Sequence, residues 1–139
     1  MNKEKLLKEA FEAMDNAYAP YSNFHVGACV ETKDGKFFKG CNVENCSYPV
    51  TICGERVAIF NAYANGYRKD DIVGIAIVVD GGKLSASCGM CRQVMVELLN
   101  EDTPIIYSNG KEEVIKTMAE LLPMAFTPED LKWEVVLLR

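Results

Sequence analysis

Apolar side chains at Leu6, Leu7, Ala10, Phe11, Met14, Ala17 and Tyr18 recur at intervals of three and four, the spacing that gathers them on one face of a helix. The pattern predicts an amphipathic first helix that ends at Ala19-Pro20, because the residue before a proline avoids the helical region. The period then drops to two. Phe24, Val26, Ala28 and Val30 alternate with His25, Gly27, Cys29 and Glu31, which reads as a strand. Asp34-Gly35 suits a tight hairpin turn, and Phe37 to Val43 forms the returning strand.

Cys53 to Asn65 reads as a helix that is apolar on most sides (Val57, Ala58, Ile59, Phe60, Ala62, Ala64) and stops at Asn65-Gly66. With so little polar face it is expected to lie buried. Ile72 to Val79 is a continuous β-branched run, the mark of a central strand covered on both faces. Cys91, Val94, Met95, Leu98 and Leu99 mark a third helix, Pro104 to Ser108 another strand, and Asn109-Gly110 a turn. Thr117 and Glu120 make a capping box before Leu121-Leu122, ended by Pro123, and Thr127-Pro128-Glu129-Asp130 reads as a second helix start. This order implies a three-layer α/β/α sandwich around a mixed sheet, antiparallel at the hairpin and parallel where helices intervene. No repeat, low-complexity tract or Pro/Gly-rich linker divides the chain, so one domain over 1–139 is expected.

Composition narrows the partners. Of 139 residues, 49% are hydrophobic and 25% charged, the balance of a soluble globular protein. Lys and Arg number 15 against 20 Asp and Glu, a net charge of −5, which disfavours a broad phosphate-binding surface and hence nucleic acid. The first ten residues alternate charges and lack the apolar core of a signal peptide, and Ile72–Val79 is too short to span a bilayer, so no membrane association is expected. Six cysteines without an export signal read as reduced thiols in a cytoplasmic protein, where a recurring spacing points to metal or catalysis rather than cross-links.

Cys88-Gly89-Met90-Cys91 opens a helix. Alone it has three readings: half a zinc site, a redox pair, or coincidence. Cys53-Gly54-Glu55 also opens a helix, well upstream. Three thiolates from two helix N-termini can occupy three corners of a tetrahedron around zinc and leave the fourth for water. Helix N-termini favour thiolate over thiol. Glu55, beside a ligand without being needed as one, is placed to move protons. Cys29, Cys41 and Cys46 read as small buried hydrophobes, and the sole histidine, His25, lacks ligand-like spacing.

Taken together, Ala19-Pro-Tyr-Ser-Asn-Phe-His-Val-Gly27, Gly40-Cys-Asn-Val-Glu-Asn45, Ile52-Cys-Gly-Glu-Arg56, Ser87-Cys-Gly-Met-Cys-Arg-Gln93 and Leu121-Leu-Pro-Met-Ala-Phe126 resemble the cytidine deaminase family, in its short, homo-oligomeric branch. The likeness covers nearly the whole chain, and zinc deaminases as a class carry this cysteine and glutamate arrangement. The resemblance implies a mixed five-stranded sheet and one Zn2+ per chain on Cys53, Cys88 and Cys91. Glu55 would be the proton shuttle, to ring N3 and then to the departing amine while water attacks C4. It further implies that Arg56 offsets the charge of three thiolates by hydrogen-bonding sulfur, and that Phe24 packs beside the nucleoside. Asn42 and Glu44, two apart on a strand and so on one face, would hold the sugar hydroxyls. Tyr48 and Phe126 would complete a neighbouring subunit's pocket in a homotetramer. The implied activity is conversion of cytidine and deoxycytidine to uridine and deoxyuridine, as in pyrimidine salvage.

Two positions depart from the family's usual pattern. Gly54 stands where Ala is usual, and Ser87 where Pro is usual. Ser87 is expected to cap the helix that follows. Gly54 removes a methyl expected to lie beside the reacting edge of the base, which would admit N4-substituted cytidines. Alternative readings are a deaminase of a cytosine-containing antibiotic of the blasticidin S type, a thiol-disulfide oxidoreductase, and a catalytically silent zinc scaffold. The acidic charge and the lack of a Gly-rich phosphate loop favour a free nucleoside, and no basic groove with interleaved aromatics suggests single-stranded nucleic acid.

Overall fold

The computed structural model describes residues 1–131, so residues 132–139 of the expected 1–139 domain lie outside the described residues. Helix α1 (Lys3–Met14) opens with the Asn2 side chain accepting from the Lys5 N–H. It ends before the expected Ala19-Pro20 stop. Tyr18 leaves the helix because its backbone bonds across to the chain beyond the hairpin, N–H to Asn42 O at 2.9 Å and C=O from Glu44 N–H at 2.9 Å.

Strand β1 (Val26–Thr32) and strand β2 (Phe37–Cys41) form the predicted hairpin, with Gly35 in the left-handed region at φ 84°. The returning strand is shorter than expected; beyond Cys41 only Val43 pairs, as an isolated bridge to Tyr18 and Ile52. Strands β3 (Ile72–Val79), β4 (Ile105–Ser108) and β5 (Glu113–Lys116) complete one sheet in the order β2-β1-β3-β4-β5. The pattern reading passed over β5, a short edge strand that pairs antiparallel to β4 after the Asn109-Gly110 turn. Strands joined through a helix run the same way, as expected: β3 and β4 are parallel neighbours, and β2 and β3 are parallel across β1, which lies between them antiparallel to both.

Helix α1 covers one face of the sheet, where Leu6 and Ala10 meet Cys29, Ala76, Val78 and Ile106. Helices α2 (Gly54–Ala64) and α3 (Gly89–Leu98) cover the other, where Ala58, Ile59, Ala62, Cys91 and Met95 meet Ala28, Val30, Ile75, Ile77 and Ile105. The result is the expected α/β/α sandwich. Every residue of β1 is buried despite its alternating pattern, since helices cover both of its sides. Gly27 and Gly40 permit this closeness: a Cβ at Gly27 would lie 2.0 Å from Ala10 O, and one at Gly40 would lie 2.3 Å from Ala58 N. Gly40 thus seats the N-terminal turns of α2 directly on β2.

Helix α2 is not buried all round, as its apolar composition suggests. It lies over the β1–β2 end of the sheet, so Phe60 on its outer side stays 42% exposed in the single chain. Helix α4 (Met118–Leu121) has the predicted Thr117–Glu120 capping box. Pro128–Leu131 forms a 3-10 turn, with Asp130 accepting from the Thr127 N–H. Among the described residues, no helix is long and apolar enough to cross a membrane.

Candidate active site

The site begins at two helix N-termini. Cys53 occupies the N-cap of α2 and Cys88 that of α3, neither using its side chain as a cap, and Cys91 lies within the first turn of α3. The three sulfurs lie within 4.8 Å of one another, and Cys53 Sγ is 3.8 Å from Cys88 Sγ. Tetrahedral thiolates at a Zn–S distance of about 2.3 Å stand about 3.8 Å apart, so this donor set fits zinc in spacing and in softness. With three protein ligands gathered and no fourth among the described residues, the arrangement is that of an open site.

The surroundings favour thiolate at Cys53. The Cys53 thiol is lowered to about 5 by hydrogen bonding from Cys91 and by Arg56 and Cys88, against the opposing effect of burial. The Cys91 thiol moves up, because it is the proton-keeping partner of that bond and is buried. Arg56 donates Nη2–H to Cys53 Sγ at 3.4 Å, the sulfur contact the sequence suggested. Burial disfavours its charge, but the Cys53 and Cys91 sulfurs overcome this and raise the guanidinium's pKa.

Glu55 lies in the first turn of α2 and is 5% exposed. Burial pushes its carboxyl up from the ordinary carboxylate range, opposed in part by a hydrogen bond from Ser87. Ser87 does not cap α3 as expected. Its side chain turns the other way and Oγ donates to Glu55 Oε2 at 2.7 Å.

Cys53, Glu55 and Cys88 line one end of a cavity of about 340 Å³, walled by Val26, Ile77 and Val79. Phe24, Asn42 and Glu44 line its other end. Asn42 lies just past β2 rather than within it, and both atoms of its amide bond the backbone: Oδ1 accepts from Val26 N–H at 2.8 Å and Nδ2 donates to Phe24 O at 2.7 Å. Glu44 accepts from the Tyr21 N–H at 3.0 Å, from the Ser22 N–H at 3.1 Å and from the Ser22 hydroxyl. The Ser22 hydroxyl and these N–H groups hold its carboxyl below the usual range.

Residues 1–107 match the family model described as the cytidine and deoxycytidylate deaminase zinc-binding region. The chain belongs to this deaminase family. It is 47% identical over 132 residues to the cytidine deaminase of Halalkalibacterium halodurans, covering 94% of this chain and 98% of that protein. It is 42% identical to the cytidine deaminase of Sporosarcina psychrophila, covering 96% of this chain and 97% of that protein. A crystal structure of the cytidine deaminase from Burkholderia pseudomallei superposes with a TM-score of 0.86 at 45% identity, covering 91% of this chain and 100% of that one. The chain is therefore a zinc-dependent deaminase enzyme, and Cys53, Cys88 and Cys91 are the cluster that fits the metal.

Other candidate residues of this deaminase fall outside the cavity. Tyr48 is 72% exposed in a shallower pocket beside it, its ring edge-on to Tyr21 at 6.1 Å. Phe126 is 58% exposed, and its carbonyl accepts from Gln93 Nε2 at 2.9 Å. Gly54 does not face the cavity. A Cβ there would point at the hairpin, 3.2 Å from Cγ1 of the wall residue Val26 and 3.3 Å from Cys41 Cα, so the missing methyl does not itself border the cavity. His25 pairs with Asp80, Nδ1 to Oδ2 at 2.6 Å, and has no part in the sulfur cluster. Of the cysteines read as buried, only Cys29 is so, its thiol pushed up to about 12 by desolvation; Cys41 is half-buried on the edge strand and Cys46 exposed on a loop. Sequence reading missed Arg92, which donates Nε–H to Ser87 O at 2.7 Å and Nη1–H to Leu121 O at 2.7 Å, tying the segment before α3 to α4. The only signal for it was its place within the resembling segment.

Proposed function

We propose that this enzyme hydrolyses cytidine and deoxycytidine to uridine and deoxyuridine, releasing ammonia. The observation that carries this reading is that the buried Glu55 carboxyl and two sulfurs of the cluster, those of Cys53 and Cys88, line one cavity of about 340 Å³. That volume lies within the range of small-molecule sites. When bound, zinc acidifies water from a pKa of about 15.7 toward about 7, so that a nucleophile exists near neutrality. Glu55 takes a proton from the attacking water and delivers it to ring N3. It then carries the second proton to the amino group as the C4–N bond breaks, leaving a carbonyl at C4. Arg56 draws charge from Cys53 and so counters the excess negative charge of three thiolates. Phe24 packs beside the nucleoside and Glu44 accepts from the sugar hydroxyls, with Asn42 fixing the backbone between them.

No Lys, Arg or His is among the described residues lining the cavity, and two carboxylates are. This favours an uncharged nucleoside over a nucleotide, whose phosphate calls for cationic or N–H-rich partners. The same carboxylate at the sugar end favours a ribose-bearing substrate over an antibiotic of the blasticidin S type. Tyr48 and Phe126, both largely exposed, are read as residues that reach a neighbouring subunit's pocket in a homotetramer. The thiols of the metal site suit a reducing, cytoplasmic setting. N4-substituted cytidines lose their special support, because the position of Gly54 gives them no added room.

The test is an ultraviolet assay of cytidine conversion with Glu55→Gln as control. Wild-type turnover with a loss of about 10²–10⁴-fold in the variant is expected; full activity in Glu55→Gln would overturn the reading.

A further inference from the structure

Ser87 Oγ lies 2.7 Å from Glu55 Oε2 and 2.6 Å from the Tyr107 hydroxyl, and the Ser87 N–H donates to that same hydroxyl oxygen at 3.3 Å. Glu55, Ser87 and Tyr107 are 5%, 6% and 1% exposed. They come from α2, from the segment before α3 and from β4, three parts of the chain that meet only in the fold.

Proton counting fixes the direction of each bond. Glu55 must be ionised to take a proton from water, and an ionised carboxylate only accepts, so in that state the single Ser87 hydroxyl hydrogen goes to Glu55. The Tyr107 hydroxyl must then donate to Ser87 Oγ, while its oxygen accepts the Ser87 N–H. Each donor meets an acceptor with none left over. We propose that Ser87, braced by Tyr107, is a positioning residue for Glu55: it holds the carboxylate by Oε2 and so assigns proton transfer to Oε1.

The bond to a charged acceptor is the stronger kind, and in this buried setting rotating the carboxylate away would leave the Ser87 hydroxyl hydrogen without an acceptor. The backbone of β4 is locked by its ladder to β3, so the brace does not drift with the loop. Proline, usual here in the family resembled, has neither an N–H nor a hydroxyl. The device therefore belongs to this chain's own choice of Ser87.

The inference rests on Glu55 being the proton carrier, and the experiment keeps the two apart. Zinc-loaded wild type, Ser87→Ala, Tyr107→Phe and Glu55→Gln are compared for kcat, KM, zinc content and melting temperature. Calorimetry then gives the affinity of each for uridine and for a pyrimidine nucleoside hydrated at C4, a mimic of the tetrahedral addition product. Ser87→Ala is expected to lower kcat about 10- to 100-fold, as misplacement of a reacting group does. KM and uridine affinity should stay within about threefold, and the hydrated mimic should weaken by about the factor lost in kcat. Tyr107→Phe should show the same pattern at about 3- to 10-fold, since the Ser87 hydroxyl remains. Wild-type kcat and mimic affinity in Ser87→Ala, with Glu55→Gln inactive, would overturn the positioning role and leave the function standing. Should Ser87→Ala lose zinc or unfold, Tyr107→Phe decides alone: a lowered kcat at unchanged KM supports the role, and wild-type kcat overturns it.

Discussion

At the sulfur end of the cavity, Cys53, Glu55 and Cys88 stand on two helix N-termini that the sheet holds in place. At the sugar end, Phe24, Asn42 and Glu44 stand on connecting chain, where the Asn42 and Glu44 side chains bond the backbone of Tyr21, Ser22, Phe24 and Val26. The sulfurs satisfy no backbone group and are free for a ligand. The Asn42 amide and the Glu44 carboxylate are already engaged in closing the loop. One end is thus a rigid centre presented by helix N-termini, and the other is a loop whose polar groups build the wall and, on the proposed function, also meet the substrate. Substitutions at the first end should remove chemistry and spare the fold; those at the second should move binding and stability together.

The strongest break in this comparison is Cys88→Ala. It should bring zinc, read by elemental analysis, well below one per chain and turnover to background, while far-ultraviolet circular dichroism is unchanged; retained metal and activity would remove Cys88 from the ligand set.

At the sugar end, Asn42→Ala leaves the Val26 N–H and the Phe24 carbonyl without their partner. An unsatisfied buried group costs about 1–3 kcal/mol, so urea denaturation should show a loss of about 2 kcal/mol together with a raised KM. A higher KM at unchanged stability would mean that Asn42 only meets the substrate.

Arg56→Ala sharpens the sulfur end. It should keep zinc and lower kcat about 10-fold, the worth of a hydrogen bond to a charged group, and unchanged turnover would show that the thiolates need no counter-charge. The smallest effect expected is that of Gly54→Ala. Its new methyl meets Val26 and Cys41, so melting should register a cost of about 1 kcal/mol from overpacking. The ratio of turnover between cytidine and N4-methylcytidine should stay the same; a fall in that ratio's tolerance for the methyl compound would bring the Gly54 specificity idea back.

Much of the sulfur end was legible because its signals are local. A Cys-x-x-Cys and a Cys-Gly-Glu, each just before a helical run, point to the sulfur cluster, to the carboxyl beside it that the proposed function makes the proton carrier, and to the N-termini that present them. The site departed from expectation where direction in space matters. Gly54 lies between two site residues in the chain, yet its Cα–H faces the hairpin, since successive positions on a helix point about 100° apart. Ser87 reads locally as a cap, yet it turns toward Glu55 because a buried carboxylate is a stronger acceptor of its hydroxyl than a solvated helix end is a donor. Tyr107 sits in an apolar strand pattern and gives no local sign of its role.

Periodicity and motif were enough to place the main helices, four of the strands, the layer architecture and the two cysteine segments of the sulfur cluster, because each depends on side chains a few residues apart. The partner of each strand, the short edge strand β5, the burial of α2 on one side only and the Ser87–Tyr107 brace were decided by the tertiary structure. These depend on which surfaces meet after the chain has crossed the sheet, and no short stretch of residues encodes such a meeting by itself.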